Sequence, residues 1–284
     1  MENVTILALQ GPTGTQSDLD PLVGAAFAQN WRLSVLHIGP VPLLAAFSIG
    51  ATPYAVPIVP DIWVNDLNEM AENLSATQAK TREYLQKQGI SGEVATICVE
   101  PAALHDLVAA RAVFADICVI QNSLRDNRVA FDNVVYGLLF EAPGPIVLNA
   151  DKNSNALDPK SVIVGWNNNL SAARAVRAAL PMLKKAENVT VACIDPKATK
   201  WADGENPGAD LASWLSHHGC RVTVQEFPTG GKSVSEVILE RGVEQGADLV
   251  VMGAYGRNRL NERIFGGTTL SMIQQQDLPV FLVH

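Results

Sequence analysis

The sequence has no surplus of basic residues. Lysine and arginine together number 21 and aspartate and glutamate number 29, so the 284-residue chain carries a formal net charge of -8 at pH 7. Its pI is about 5.1. A protein that holds nucleic acid without regard to base sequence needs a cationic surface that displaces counterions from the phosphates. The charge balance therefore argues against nucleic acid as a partner.

Cysteines are few and isolated. Cys98, Cys118, Cys193 and Cys220 lie singly along the chain, with no CxxC spacing. A disulfide framework or a zinc site would show closer and more regular spacing. We interpret the four thiols as reduced residues of the core, and we expect neither a disulfide nor a metal site.

A secretory signal and a membrane helix are also not expected. The first ten residues, "MENVTILALQ", place no basic segment ahead of their apolar stretch. The one long uncharged stretch, residues 38–60, contains five prolines. Each proline removes a backbone donor, so this stretch suits an apolar loop or an interface better than a membrane helix. We expect a cytoplasmic protein that does not insert into membranes.

Familiar catalytic motifs are missing. The serines near glycine lack the strand, turn and helix pattern of GxSxG. The segment "EFPTGGKS" ends like a Walker A loop, but Glu226 stands where the first glycine is required. The adjacent His217 and His218 would point about 100° apart on a helix and would make a poor metal pair. We predict no catalytic residue and no metal ligand.

What the chain does contain is an internal repeat. The segment "GADLVVMGAYGR" at 246–257 matches "FADICVIQNSLR" at 114–125, and both copies begin with an apolar strand, a polar turn and an alanine-rich helix. The length also suits two domains better than one. Repetition on this scale indicates tandem copies of one domain. The polar "DKNSNALDPK" at 151–160 separates them, which predicts domains over 1–152 and 158–284.

Strands and helices alternate in the second copy. Short runs rich in valine, isoleucine and leucine predict strands at 161–166, 188–194, 221–227, 247–252 and 279–283. The stretches between them predict helices at 171–184, 209–218, 233–245 and 268–276. The third helix opens with "SVSE", the pattern of a capping box. This order predicts an α/β fold, a parallel sheet with helices on both faces, in which ligands lie beyond the carboxyl ends of the strands.

Four glycines stand at that edge of the sheet. In "GAYGRNRLNERIFGG", Gly253 and Gly256 follow the fourth strand, and Gly266 and Gly267 precede the last helix. A helix N-terminus offers unpaired amides, and glycine lets the oxygens of an anion approach the backbone. Thr268 adds a hydroxyl donor. The arrangement indicates a phosphate site, and tight turns alone are the alternative explanation.

This spacing of Gly, two residues, Gly, nine residues and Gly resembles the signature of the universal stress protein family. The resemblance is strong over the second copy and weak over the first, as in tandem bacterial members. It implies two doubly wound five-stranded parallel sheet domains of the adenine nucleotide alpha hydrolase-like type, related by a pseudo-twofold axis. It further implies that the second copy binds ATP or ADP, ATP together with Mg²⁺, and acts in the stress response through a protein partner.

The resemblance also assigns the nucleotide site residue by residue. The implied ligand residues follow two strands and precede the last helix of the second copy: Asn167, Met252, Gly253, Gly256, Gly266, Gly267 and Thr268. Two of them depart from the family pattern, because Gly267 stands where serine or threonine is usual and Asn167 where aspartate is common. An amide can still pair with adenine or ribose.

The first copy departs much further from the signature. The counterparts of the four glycines are Gln121, Leu124, Asp132 and Asn133, and Gln10 takes the place of the aspartate after the first strand. Their side chains would block a phosphate, and Asp132 would repel it. We interpret this copy as a structural partner that packs on the second as one subunit packs on another. One chain then mimics a dimer, and a homodimer of whole chains is left open.

Two functional classes remain. In the first, a nucleotide-responsive stress protein, ATP binding changes the surface shown to a partner, with slow ATP hydrolysis at most. In the second, an interaction scaffold of the stress response binds no nucleotide, and the apolar "LLAAFSIGATPYAVPIV" forms its contact surface. Arg257, Arg259 and Arg263 frame the glycine loop, where they either meet phosphate or form a solvated face.

Overall fold

A computed structural model describes residues 3–41, 61–196, 207–255 and 267–284. Along these ranges ten strands and eight helices alternate. The strands are β1 (Thr5–Gln10), β2 (Arg32–Pro40), β3 (Val94–Val99), β4 (Ile117–Ile120), β5 (Ile146–Leu148), β6 (Ser161–Trp166), β7 (Asn188–Ile194), β8 (Val222–Phe227), β9 (Leu249–Gly253) and β10 (Val280–Val283). The helices are α1 (Asp20–Gln29), α2 (Asp61–Lys87), α3 (Leu104–Ala112), α4 (Arg128–Phe140), α5 (Leu170–Leu183), α6 (Ala209–His217), α7 (Val234–Glu244) and α8 (Gly267–Gln274).

The strands form a single ten-stranded sheet in the order β3-β2-β1-β4-β5-β10-β9-β6-β7-β8. All pairs within the first five strands, and all within the last five, are parallel. The two sets, called the first half and the second half below, therefore repeat one topology, as predicted. Their join was not predicted: β5 and β10 pair antiparallel, with Val147 opposite Phe281. This antiparallel pair lies on the pseudo-twofold axis.

The predicted elements of the second half agree with the structure to within two residues at every end. The capping box of α7 is also present. The Ser233 hydroxyl accepts a hydrogen bond from the backbone N–H of Glu236 at 3.2 Å, and the Glu236 carboxylate accepts one from the backbone N–H of Ser233 at 2.6 Å. Reciprocal bonds of this kind satisfy two amides that a helix start would otherwise leave unpaired.

Buried apolar side chains cover both faces of the sheet. On one face, strand residues such as Ile6 and Val251 pack with α1, α2, α5 and α6. On the other face, residues such as Leu9 and Val250 pack with α3, α4, α7 and α8. Each layer contains residues of both halves, so the core is continuous across the β5–β10 join. Three of the four cysteines are buried in the core as predicted, and Cys98 is half-buried.

A buried carboxylate fastens the connection between the halves. Asp248, 9% exposed, precedes β9. Four N–H groups donate to it at 2.8 to 3.3 Å: the backbone amides of Lys160 and Ser161 and the side-chain amides of Asn153 and Asn155. Burial alone would raise the pKa of Asp248, but the hydrogen bonds outweigh burial and lower it. Its counterpart Asp116 is exposed and accepts from the amide of Thr5 at 2.8 Å.

A buried histidine in the first half makes folding sensitive to acid. His37 of β2 is fully buried, with its Nε2 atom 3.0 Å from the Thr81 hydroxyl of α2. Burial lowers the pKa of His37 from 6.5 to about 4. Between these values the unfolded chain binds a proton that the folded chain does not, so stability is complete above pH 6.5 and is lost as the pH falls towards 4. As the pH falls from 7 to 5, we expect the proton uptake of His37 in the unfolded chain to lower the free energy of unfolding by about 2 kcal/mol.

Urea unfolding at several pH values, with two variants, tests this expectation. His37→Gln cannot titrate, so its unfolding free energy should fall less between pH 7 and pH 5 than that of the wild type. His217→Gln, at an exposed position of α6, should keep the full wild-type dependence. Equal pH slopes for wild type and His37→Gln would show that the buried ring is not the cause.

No helix among the described residues is long and apolar enough to cross a membrane. From the sequence, we interpret the apolar stretch at 38–60 as a loop or an interface, but its first three residues are the buried end of β2. Residues 42–60 lie outside the described ranges, so for them the interpretation stays a prediction. The division of the chain at residues 152 and 158 likewise stays a prediction.

Candidate functional site

A cleft of about 310 Å³ opens at the carboxyl edge of the second half of the sheet. It lies where β6, β7 and β9 end and where α5, α7 and α8 begin. Five of the seven predicted ligand residues line it together: Asn167, Met252, Gly253, Gly267 and Thr268. The other two, Gly256 and Gly266, lie outside the described residues, as do Arg257, Arg259 and Arg263.

The floor of the cleft is apolar. Its aliphatic side chains come from two strands and from α7: Ala192, Ile194, Val234, Ile238 and Met252. Only Met252 was among the predicted ligand residues. Sequence reasoning missed the others because they stand far apart in the chain, although Ile194 could have been found as the last residue of its strand. A concave apolar floor of this kind suits a planar ring.

The rim of the cleft is polar and uncharged. Asn167 is exposed at the end of β6, and Thr268 and Thr269 belong to the first turn of α8. Asn169 caps α5, where its side-chain oxygen accepts from the amide of Ala172 at 2.7 Å. The described lining contains no lysine, arginine, aspartate or glutamate. Hydroxyls, amides and the N-terminal end of α8 therefore provide the polar contacts on this wall.

The two described glycines of the signature differ in what surrounds them. A Cβ atom at Gly253 would collide with the backbone nitrogen of Ala172 and lie 2.5 Å from the carbonyl carbon of Ser171. Gly253 thus allows β9 to approach the start of α5. A Cβ at Gly267 would meet no atom of the described residues within 4 Å. Packing among the described residues therefore requires glycine at position 253 and does not require it at position 267.

Tyr255 follows β9 in an unusual backbone conformation, with φ at 55°. It lines the cleft, and its backbone N–H donates to the Thr269 hydroxyl at 3.2 Å. Its ring packs against Phe140 of the first half, with 5.0 Å between centroids. The sequence analysis did not single out Tyr255, because nothing in the repeat indicates a positive φ at a tyrosine.

The corresponding edge of the first half carries a cavity of about 430 Å³, lined among others by Thr13, Val41 and Ser123, but side chains occupy the places next to its strand ends. Gln10 and Gln121, at the ends of β1 and β4, are almost fully buried, and so is Leu124. The turn Asn122–Asp126 packs so closely that a Cβ at Gly11 would collide with its backbone. Gln121 and Leu124 thus occupy space as expected, and the prediction that this copy cannot hold a phosphate stays a prediction.

One assignment in the first half was wrong by a residue. When the copies are aligned at their fourth strands, the strand registers place Gln10 level with Trp166 and Gly11 level with Asn167. The backbone N–H of Gly11 donates to the Ser123 hydroxyl at 2.9 Å. The counterpart of Asn167 is therefore Gly11, whose amide binds the turn Asn122–Asp126, and the buried side chain of Gln10 lies beside it.

A cluster outside the cleft brings three titratable groups together. The Nδ1 atom of His105 lies 3.1 Å from the Glu141 carboxylate and 3.3 Å from that of Asp106. The hydrogen bond with Glu141 raises the pKa of His105, although burial opposes the shift. The charged form of His105 would pair with both carboxylates through the same ring nitrogen.

Comparisons with known proteins agree with this architecture. The family model described as "Universal stress protein family" matches residues 159–284. A universal stress protein from Archaeoglobus fulgidus DSM 4304 is 16% identical, with 98% of this chain and 97% of that chain covered and a TM-score of 0.63. A functionally unknown protein from Pseudomonas aeruginosa PAO1 is 14% identical, with 98% and 92% covered and a TM-score of 0.57. No curated protein matches the sequence. At these identities the two solved structures show the fold alone.

Proposed function

We propose that the cleft of the second half, which the universal stress protein family model matches over residues 159–284, binds one adenine nucleotide, ATP or ADP, per chain. The observation that supports this most is the meeting of the apolar floor, the polar rim and the start of α8 in one cleft. Chemically, the floor suits the adenine ring and the helix N-terminus suits phosphate.

Each described residue has a distinct place in this proposal. The aliphatic floor holds the base, and the Asn167 amide pairs with the base or the ribose. The amides at the start of α8, with the Thr268 hydroxyl, receive phosphate oxygens. Because the described lining contains no carboxylate, Mg²⁺ would arrive with ATP, held by the phosphates and water. Nucleotide binding, rather than turnover, is the proposed function, with slow hydrolysis at most.

The biological setting belongs to the same proposal. We propose that occupancy of the cleft changes how the protein meets a partner protein during stress, in the cytoplasm. The first half, over residues 1–152, serves as the internal partner of the domain at 158–284.

A second candidate is the scaffold that binds no nucleotide. It is favoured by one observation: the packing of Gly253 against Ser171 and Ala172 gives that glycine a structural reason to exist without a ligand. Gly267 has no such reason among the described contacts. The two functions therefore make different predictions for position 267.

Calorimetric titration with ATP tests the proposal. We expect one site per chain in the wild type and about tenfold weaker binding in Gly267→Asp, because a carboxylate at the start of α8 repels phosphate and displaces one charge-assisted contact. An acidic residue in the first turn suits the helix dipole, so folding should be unimpaired.

Asn133→Asp is the matched control, because it adds the same charge at the counterpart position of the first half. It should bind ATP as the wild type does. Wild-type protein that gives no heat with ATP and carries no nucleotide after purification would exclude nucleotide binding and favour the scaffold.

A further inference from the structure

We infer that Phe140, in the first half of the chain, is a positioning residue for the cleft of the second half and acts through Tyr255. The inference rests on the proposed function and deepens it, because it names a residue outside the cleft that controls ligand binding. Phe140 is the last residue of α4 and does not line the cleft. Tyr255 does line it.

Tyr255 needs support from its surroundings. A φ of 55° is sparsely populated for a residue with a bulky side chain, and such conformations persist only where neighbouring groups hold them. The backbone that leads into Tyr255 is fixed: the amide of Ala254 donates to the carbonyl of Val283 at 2.7 Å, and the amide of Tyr255 donates to the Thr269 hydroxyl at 3.2 Å. Thr269 also lines the cleft, so a shift of Tyr255 changes two parts of its wall.

Aromatic contacts hold the Tyr255 ring from the side of the first half. The Phe140 ring lies 5.0 Å from it at an interplanar angle of 39°, and the His284 ring lies 5.0 Å from Phe140. The rings of Tyr255 and His284 are 6.4 Å apart, so the three rings form one group. Phe140 is the member that the first half contributes. The conformation at the cleft therefore depends on a contact that crosses between the halves.

The pseudo-symmetric position supports this assignment. In the repeat, Ser123 is the counterpart of Tyr255, and the contact between the halves beside it is polar. Arg125 donates to the side-chain oxygen of Asn149 at 3.0 Å and to the carbonyl of Gln275 at 3.4 Å, and Asn149 donates to the same carbonyl at 3.0 Å. Among the described residues, the aromatic form of the contact thus accompanies the cleft with Tyr255 in its wall, and the polar form accompanies the first-half cavity, where Ser123 takes that place.

Two alanine variants test the inference in the full-length protein. Phe140→Ala removes the support, and we expect ATP to bind about tenfold more weakly because the binding-competent conformation is less populated. The amide of Tyr255, followed by hydrogen exchange, should exchange about tenfold faster for the same reason. Tyr136→Ala is the control. Its ring lies 4.8 Å from Phe140 on the exposed side, and both measurements should stay within about twofold of wild type.

Repeating the Phe140→Ala change in a Tyr255→Gly variant distinguishes a positioning role of Phe140 from a general loss of packing. Glycine adopts positive φ without strain, so in Tyr255→Gly the added change Phe140→Ala should no longer alter ATP affinity. A full effect of Phe140→Ala in that background would overturn the inference, and so would wild-type affinity in the single variant. If the wild type binds no ATP, the proposed function fails. Exchange at the Tyr255 amide then decides the inference alone, because a rate unchanged by Phe140→Ala would overturn it.

Discussion

Gly253→Ala is expected to lower the free energy of unfolding by about 3 kcal/mol, because its new methyl group has no room. The Cβ atom would collide with the backbone nitrogen of Ala172 and approach Ser171 to within 2.5 Å. Backbone atoms at the start of α5 cannot move aside by changing rotamer, so either the helix or the end of β9 must shift. Urea unfolding monitored by circular dichroism measures the loss.

Gly267→Ala is the matched control for this prediction. The added Cβ meets no atom within 4 Å in the part of the chain that the structure describes, so the free energy of unfolding should change by less than about 0.5 kcal/mol. The two glycines belong to one sequence signature and would nevertheless give different results. Equal losses in the two variants would contradict the packing role assigned to Gly253.

Asp248→Asn is expected to cost about 4 kcal/mol of unfolding free energy. The carboxylate accepts hydrogen bonds from four N–H groups. Hydrogen bonds to a charged group contribute about 1.5 to 3 kcal/mol each to stability. An asparagine has one acceptor oxygen, and its own N–H groups would face other donors. The connection between the halves would then lose its anchor at the start of β9.

Asp116→Asn provides the internal comparison. That aspartate occupies the same place in the first half but is exposed and receives one backbone N–H, from Thr5, so a loss of about 1 kcal/mol is expected. The contribution of Asp248 is present above the ordinary pKa of an aspartate and is lost as the pH falls through its lowered pKa. A loss in Asp248→Asn no larger than in Asp116→Asn would contradict the anchoring role.

Much of the fold could be predicted because it is encoded locally. Runs such as 161–166 and 188–194 are buried on both faces, so their composition marks them as strands, and the capping box marks the start of α7. The join of β5 to β10 could not be predicted. Both are short apolar strands, and nothing in either sequence specifies which neighbour lies at the edge of its sheet.

The site was predictable in outline and not in detail. The glycine spacing led to the edge of the sheet where the cleft opens and to Thr268 on its rim, and the family resemblance led to Asn167. The separate roles of Gly253 and Gly267 depend on how close α5 comes to β9, which is a property of packing. Phe140 could not be found at all, because it belongs to the other copy and meets Tyr255 only through the pseudo-twofold arrangement.

The pairing of β5 with β10 also governs how the chain reaches its final state. Each half makes its parallel pairings among its own five strands, so each can form as a unit, and the antiparallel pair waits for both. Until then each half exposes an edge whose unpaired N–H and C=O groups accept any free strand. Because the two edges match each other, β5 of one chain can capture β10 of another. Refolding at high concentration therefore favours exchanged dimers, held by the same contact that closes the monomer.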